Sequence, residues 1–183
     1  MNTNLIIALA AMLHDIFPDE VWDDGVEETA RRVLDYWNSL VPQELSFTPT
    51  TFKPHAAQMV IVSGIEFSSC CAHHLLPFYG VAHIGYLPHQ LAIGVSKIPR
   101  VVEHFAKRPQ VQERLTHQIA DYMQDTLKPK GTMVILEATH TCMSCRGILA
   151  RNSKMITNEL RGVFLTAEAA RQEFMRSIER SSQ

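Results

Sequence analysis

The sequence predicts an α+β fold with an antiparallel sheet, preceded by helices. Three observations predict it. Residues before about 41 carry apolar side chains at helical spacing. Short β-branched and aromatic runs, broken by Gly and Pro, then follow. Helices and strands stay in separate runs rather than alternating one by one, which disfavours a parallel sheet. The chain has 183 residues, about one domain.

Leu5 to Phe17 reads as the first helix, with Leu5, Leu9, Met12, Leu13 and Ile16 near one stripe, and Pro18 stops it. Asp23 or Asp24 is expected to cap a second helix over Val26 to Leu40, whose apolar positions are Val26, Ala30, Val33, Leu34, Trp37 and Leu40. Pro42 and Pro49 bracket a polar loop. Gln58 to Ser63, Ile65 to Ser69, Gly80 to Tyr86 and Leu91 to Val95 read as strands. A helix starts near Ser96 and ends before Pro109, with Pro99 in its first turn, where proline is tolerated. The next runs from Gln110 to Leu127, with Val111, Leu115, Ile119, Met123 and Leu127 spaced by four. Thr132 to Thr139 is an apolar strand, Met155 to Phe164 another, and Ala167 to Glu179 the last helix. Residues 1–45 form an N-terminal helical region and residues 46–183 one core, β-β-α-α-β-β with a C-terminal helix.

Composition narrows the function. The charge sum of −2 disfavours nucleic acid, whose binders carry a basic excess. No run reaches the roughly 18 apolar residues of a membrane helix. Leu5 to Leu13 is too short, has no basic segment before it and meets His14 and Asp15, so it is a poor signal peptide. A cytoplasmic protein is expected, and for its four cysteines a metal site rather than disulfides.

Those cysteines fall in two windows with three of the nine histidines: Cys70, Cys71, His73 and His74, then His140, Cys142 and Cys145. Zinc favours thiolate and imidazole in a tetrahedron, and a catalytic site leaves one position open. Cys71, His74 and Cys142 give such a Cys₂His set, leaving His73 and His140 for proton transfer. A closed structural site takes four ligands from the same pool. The blander reading is buried free cysteines and hydrogen-bonded histidines, but two windows that each hold both residue types favour metal. Cys70 alternates with Cys71 and should face away. Residues i and i+2 of a strand share a face, so His140 should lie on the side of Cys142.

Gly94 to Arg100 crosses from a strand into a helix N-terminus, whose free N–H groups attract anions. Ser96 adds a hydroxyl there, and Lys97, Arg100 and, farther on, Arg146 add positive charge. An ordinary capped helix with solvated basic residues is the alternative. Glu113 opens the next helix, where a carboxylate is favoured on electrostatic grounds alone. Its functional reading is an acceptor for two N–H groups of a purine edge.

Together these segments resemble the GTP cyclohydrolase I family. The family carries C-E-H-H, S-K-x-x-R, R-P-Q-V-Q-E-R-L-T-x-Q and H-x-C-x-x-x-R-G. Here they stand as Cys71-Ala72-His73-His74, Ser96 to Arg100, Arg108 to Gln118 and His140 to Gly147. The likeness covers about Asp23 to Ile178. It implies a tunnelling fold, in which such units assemble into a barrel, and a homodecamer with active sites between subunits. It implies zinc on Cys71, His74 and Cys142, and His73 and His140 as proton carriers. It also implies a guanine anchor at Glu113 assisted by Gln112, and triphosphate contacts from Ser96, Lys97, Arg100 and Arg146. The implied reaction opens GTP at C8, releases formate and closes the rearranged ribose into 7,8-dihydroneopterin triphosphate.

Three positions depart from the family pattern. Ala72 replaces a glutamate beside the ligands, Ala30 stands where proline is usual, and Cys145 adds a thiol near Cys142. Ala72 motivates a second reading, a divergent paralog that only opens the ring or accepts another purine nucleotide. A third is a non-catalytic, zinc-stabilised purine-binding scaffold, which would not need His73, His140 or an open ligand position.

Overall fold

The computed structural model describes residues 3–41, 48–55 and 58–181. The chain divides into two compact units, Met1–Val41 and Pro42–Gln183. The first holds α1 (Thr3–Ile16) and α2 (Val26–Ser39), which pack on each other with the small side chains of Ala10 and Ala30 buried. The expected aspartate cap is absent. Gly25 holds the N-cap position with no side-chain bond. Asp24 instead reaches forward to the Arg32 guanidinium, at 2.7 Å. Arg31 pairs with Glu28 and Asp35 one turn away on either side, a solvated network. Of the polar loop expected between Pro42 and Pro49, residues 42–47 lie outside the described residues.

The second unit is built on a five-stranded sheet. Its strands are β2 (Val60–Cys71), β3 (Pro77–Leu87), β5 (Pro109–Gln110), β6 (Gly131–His140) and β7 (Met155–Gly162), in the order β5-β2-β3-β6-β7. All neighbours are antiparallel except β5, which runs parallel to the end of β2. A separate pair joins β1 (Thr51–Phe52) to β4 (Ala92–Ile93). The helices are α3 (Lys97–Ala106), α4 (Gln112–Leu127), the single turn α5 (Thr141–Ser144) and α6 (Glu168–Ser181). The fold is therefore mixed α+β, as the sequence predicts.

Period-2 alternation explains the layering. On β6, Val134, Leu136 and Ala138 face one cluster with Ile65, Phe67, Phe78 and Ile84, together with Ile98 and Val101 of α3 and Leu115, Ile119 and Met123 of α4. Met133 and Ile135 face the other side, against Phe164, Phe174 and Ile178. β6 is thus covered on both faces, which is why its sequence is apolar without alternation. Each fully buried Ile, Leu or Phe contributes about 1.5–3 kcal/mol. Gly85 is required under α6, because a Cβ there would meet the Phe174 ring at 2.6 Å.

Several boundaries differ from expectation. The two strands predicted around Gly64 are one long strand, β2, with a bulge between Val62 and Ile65. Gly64 sits there at φ 68°, a conformation that favours glycine. The strand predicted over Leu91 to Val95 shrinks to Ala92–Ile93 and stays out of the main sheet. Gln110 is not helical. It pairs with Cys71 as part of β5, and α4 begins two residues later. β7 ends at Gly162, and Val163–Leu165 forms a 3-10 turn before α6.

Candidate active site

The site begins where β2 ends. Cys71 is the last residue of β2 and is buried. The chain then reverses in a tight turn. The N–H of Leu75 donates to the Cys71 carbonyl at 2.8 Å, and the N–H of Cys71 donates to the Leu76 carbonyl at 2.8 Å. This turn carries His73 and His74 on its exposed side. The N–H of Ala72 donates to the Gln110 carbonyl at 2.8 Å, so β5 fixes the turn from outside the hairpin.

The second window is organised differently from expectation. His140 ends β6, but Cys142 lies in α5, so the two share no strand face. The helical turn follows from local bonds. The hydroxyl of Thr141 donates to the Pro77 carbonyl at 2.6 Å, and the N–H of Cys145 donates to the Thr141 carbonyl at 2.9 Å. This turn presents Cys142 toward Cys71.

One donor atom each from Cys71, His74 and Cys142 lies within 4.8 Å of the other two. Cys71 Sγ and His74 Nδ1 are 3.7 Å apart. A zinc tetrahedron with bonds of about 2.3 Å to sulfur and 2.0–2.1 Å to nitrogen has ligand–ligand edges of about 3.5–3.8 Å. Two thiols and an imidazole at this spacing fit zinc and leave a fourth position open. Cys70 and Cys145 stand outside the group; Cys70 is fully buried and Cys145 exposed. Burial and the neighbouring Cys71 raise the Cys142 thiol above its ordinary value, while Arg146 opposes the rise.

His73 reaches the same sulfur, with Nδ1 4.0 Å from Cys71 Sγ. His140 ends β6 two residues before Cys142, its Nε2 2.8 Å from Gln112 Oε1. Phe78, its partner on β3, stacks on it face to face. Burial lowers the His140 pKa, and the negative charge of Glu113 opposes that shift. Glu113 is exposed on the first turn of α4, while Gln112 beside it is buried. Other side chains around Glu113 are architectural. Gln110 donates to the Phe105 carbonyl and to Gln118, and Arg114 donates to Gln110 and to the Pro109 carbonyl.

Ser96, Lys97 and Arg100 lie at the N-terminal end of α3. The other end of that helix touches β2 near the site: the Ser69 hydroxyl donates to the Ala106 carbonyl at 2.7 Å. At 1.5 Å per residue, Lys97 stands about 14 Å along the helix from Ala106. Sequence reasoning missed Phe78, Thr116 and Thr157 as neighbours of the site. Nothing local marks them, because strand register and helix packing bring them there. Among the described residues, no helix is long and apolar enough to cross a membrane.

Comparison with known proteins shows the family. The family model for GTP cyclohydrolase I matches residues 8–179. A protein of Wolinella succinogenes named GTP cyclohydrolase 1 is 43% identical over 183 residues, covering 94% of this chain and 96% of its own. Its namesake in Carboxydothermus hydrogenoformans is 45% identical over 161 residues, covering 85% and 83%. That in Leptospira biflexa is 50% identical over 131 residues, covering 72% of each chain. With the match running from α1 to α6 and through every segment of the site, the chain belongs to the GTP cyclohydrolase I family.

Proposed function

We propose that this protein is a zinc-dependent GTP cyclohydrolase I. It hydrolyses GTP at C8, releases formate and converts the remainder into 7,8-dihydroneopterin triphosphate. The observation that carries the reading is the Cys71, His74 and Cys142 triangle flanked by His73 and His140, in a chain of this family. Zinc on those three residues supplies a water nucleophile at neutral pH.

The chain's own residues do the rest. His73 and His140 carry protons to and from the purine's five-membered ring as it opens. Burial favours the neutral form of His140, which can take a proton, and the charge of Glu113 opposes that shift by favouring the cation. Glu113 is free to accept two N–H groups from the guanine edge, with Gln112 behind it. Ser96, Lys97 and Arg100 use hydroxyl, charge and a helix N-terminus to hold the triphosphate, and Arg146 adds charge beside Cys142.

The quaternary proposal is a tunnelling-fold homodecamer in the cytoplasm, with active sites between subunits. Its catalytic core is residues 46–183, and residues 1–45 are a helical N-terminal region. The distance along α3 between its phosphate-reading end and the metal end supports a site completed by a second copy. The test is incubation of zinc-loaded protein with GTP and mass analysis of products. Formate with dihydroneopterin triphosphate is the expected result. A formylated pyrimidine alone would favour the ring-opening paralog that Ala72 suggests, and unaltered bound GTP would favour a scaffold.

A further inference from the structure

Gln112 is 1% exposed, and its whole amide is engaged within the chain. Its Nε2 faces three acceptors: the Leu136 carbonyl at 3.1 Å, the Met155 carbonyl at 3.0 Å and Thr157 Oγ1 at 3.1 Å. Two of these are backbone carbonyls, which never donate. A flipped amide would set its oxygen against both, in a buried place where an unpaired acceptor costs about 1–3 kcal/mol. The amide therefore has one orientation, with Oε1 toward His140.

The neighbouring hydroxyls follow the same direction. Thr116 donates to the Gln112 carbonyl at 2.8 Å, so Thr157, 2.6 Å away, donates to Thr116 and accepts from Gln112. The hydroxyl protons thus have one direction each, and the two amide protons are shared among three acceptors. At the end of this series, Gln112 Oε1 has no proton to give, so the 2.8 Å contact with His140 requires a proton on His140 Nε2. A neutral imidazole carries one proton, which leaves Nδ1 as its bare nitrogen. The Phe78 stack, with centroids 4.5 Å apart and planes 4° from parallel, opposes a half-turn of the ring, which would put Cε1 in the place of Nε2 and lose the bond to Gln112.

We infer that Gln112 is a positioning residue for His140, fixing the direction of its ring and holding the Nε2–H tautomer, which leaves Nδ1 as the nitrogen turned away from Gln112. The kinetic half of the test below rests on the reaction proposed above; the tautomer does not. Gln112 acts on the imidazole, and the base edge is left to Glu113.

The test uses the full-length, zinc-loaded protein labelled with ¹⁵N and ¹³C in histidine. Solid-state NMR at pH 8 reads each ring nitrogen, with His140 assigned by the signals lost in His140→Gln. The expected spectrum has a protonated Nε2 and a bare Nδ1. The opposite pattern in wild type overturns the inference, with no variant needed. Gln112→Met keeps the apolar volume and removes the acceptor. It is expected to mix the two tautomers and lower kcat by at least about tenfold, with KM for GTP within about twofold and zinc content unchanged. A raised KM with unchanged kcat would instead make Gln112 a base contact and overturn the inference. A wild type with the expected spectrum but no pterin product supports the tautomer and defeats the reaction.

Discussion

Phe78 and His140 lie face to face as direct partners on β3 and β6, their ring centroids 4.5 Å apart and their planes within 4° of parallel. A fully buried phenylalanine thus serves as the floor on which a partly exposed histidine rests. Such ring pairs contribute about 0.5–1.5 kcal/mol beyond their buried area. Phe78→Leu keeps an apolar floor but not a flat one. It is expected to lower the unfolding free energy by about 1–2 kcal/mol and to lower kcat more than it raises KM. Denaturant melts and steady-state formate release measure the two effects. An unchanged kcat would show that the stack does not orient His140.

Cys142→Ala removes one of three donors from a site that has no fourth protein ligand among the described residues. The expected result is loss of zinc and of turnover together. Elemental analysis after dialysis checks the first, and product formation from GTP the second. Full zinc occupancy in this variant would defeat the ligand assignment.

Glu113 and Lys97 are expected to fail in different ways. Glu113→Ala removes an acceptor of two N–H bonds and should weaken GTP binding by about 3 kcal/mol, roughly a hundredfold, while relaxing discrimination against ATP. Lys97→Ala should weaken GTP binding more than guanosine binding. Titration calorimetry with GTP, ATP and guanosine separates the two. A preference for GTP over ATP that survives Glu113→Ala, or equal losses for nucleotide and nucleoside in Lys97→Ala, would defeat the respective role.

Two histidines outside the candidate metal group are expected to give stability a pH dependence. Burial lowers the pKa of His83, against the pull of Glu137. Burial and the charge of Arg108 both lower that of His104. A lowered pKa in the fold means that the unfolded chain binds the proton more readily, so stability rises with pH across the interval. The contribution is complete above the ordinary histidine value of 6.5 and is lost as pH falls through the lower, folded values. Urea melts from pH 8 to pH 5 are expected to show this loss, and His104→Gln to flatten part of it. Stability that grows on acidification through this range would contradict the assignment.

Much of the fold was legible because periodicity is local. The stripe Leu115, Ile119, Met123 and Leu127 is buried as its spacing requires, and the apolar run of β6 lies between two layers. The failures concern partners distant in the sequence. Gly64 reads as a break in any window of ten residues, and only its pairing with β3 shows a bulge in one long strand. Gln110 reads as the first residue of a helix, but β2 captures it as an edge strand. Asp24 looks like a cap until Arg32 claims it. The candidate ligands were legible from their chemistry. The floor under His140 was not, because Phe78 reaches it only through the register between two strands distant in the sequence.

The position of the metal triangle bears on when it forms. Cys71 ends β2 and Cys142 follows β6, yet these strands are not neighbours, for β3 runs between them. In the folded chain the two thiols are brought together through β3, paired on both sides. A metal held by them would close a finished sheet, as a clasp does, rather than gather an unfinished one. Its interactions would then belong to the native side of the folding barrier. Zinc supplied during refolding should leave the rate of sheet formation almost unchanged and should slow unfolding by nearly the whole of its stabilising effect. On this expectation the strands that frame the site come into register first and the metal binds last.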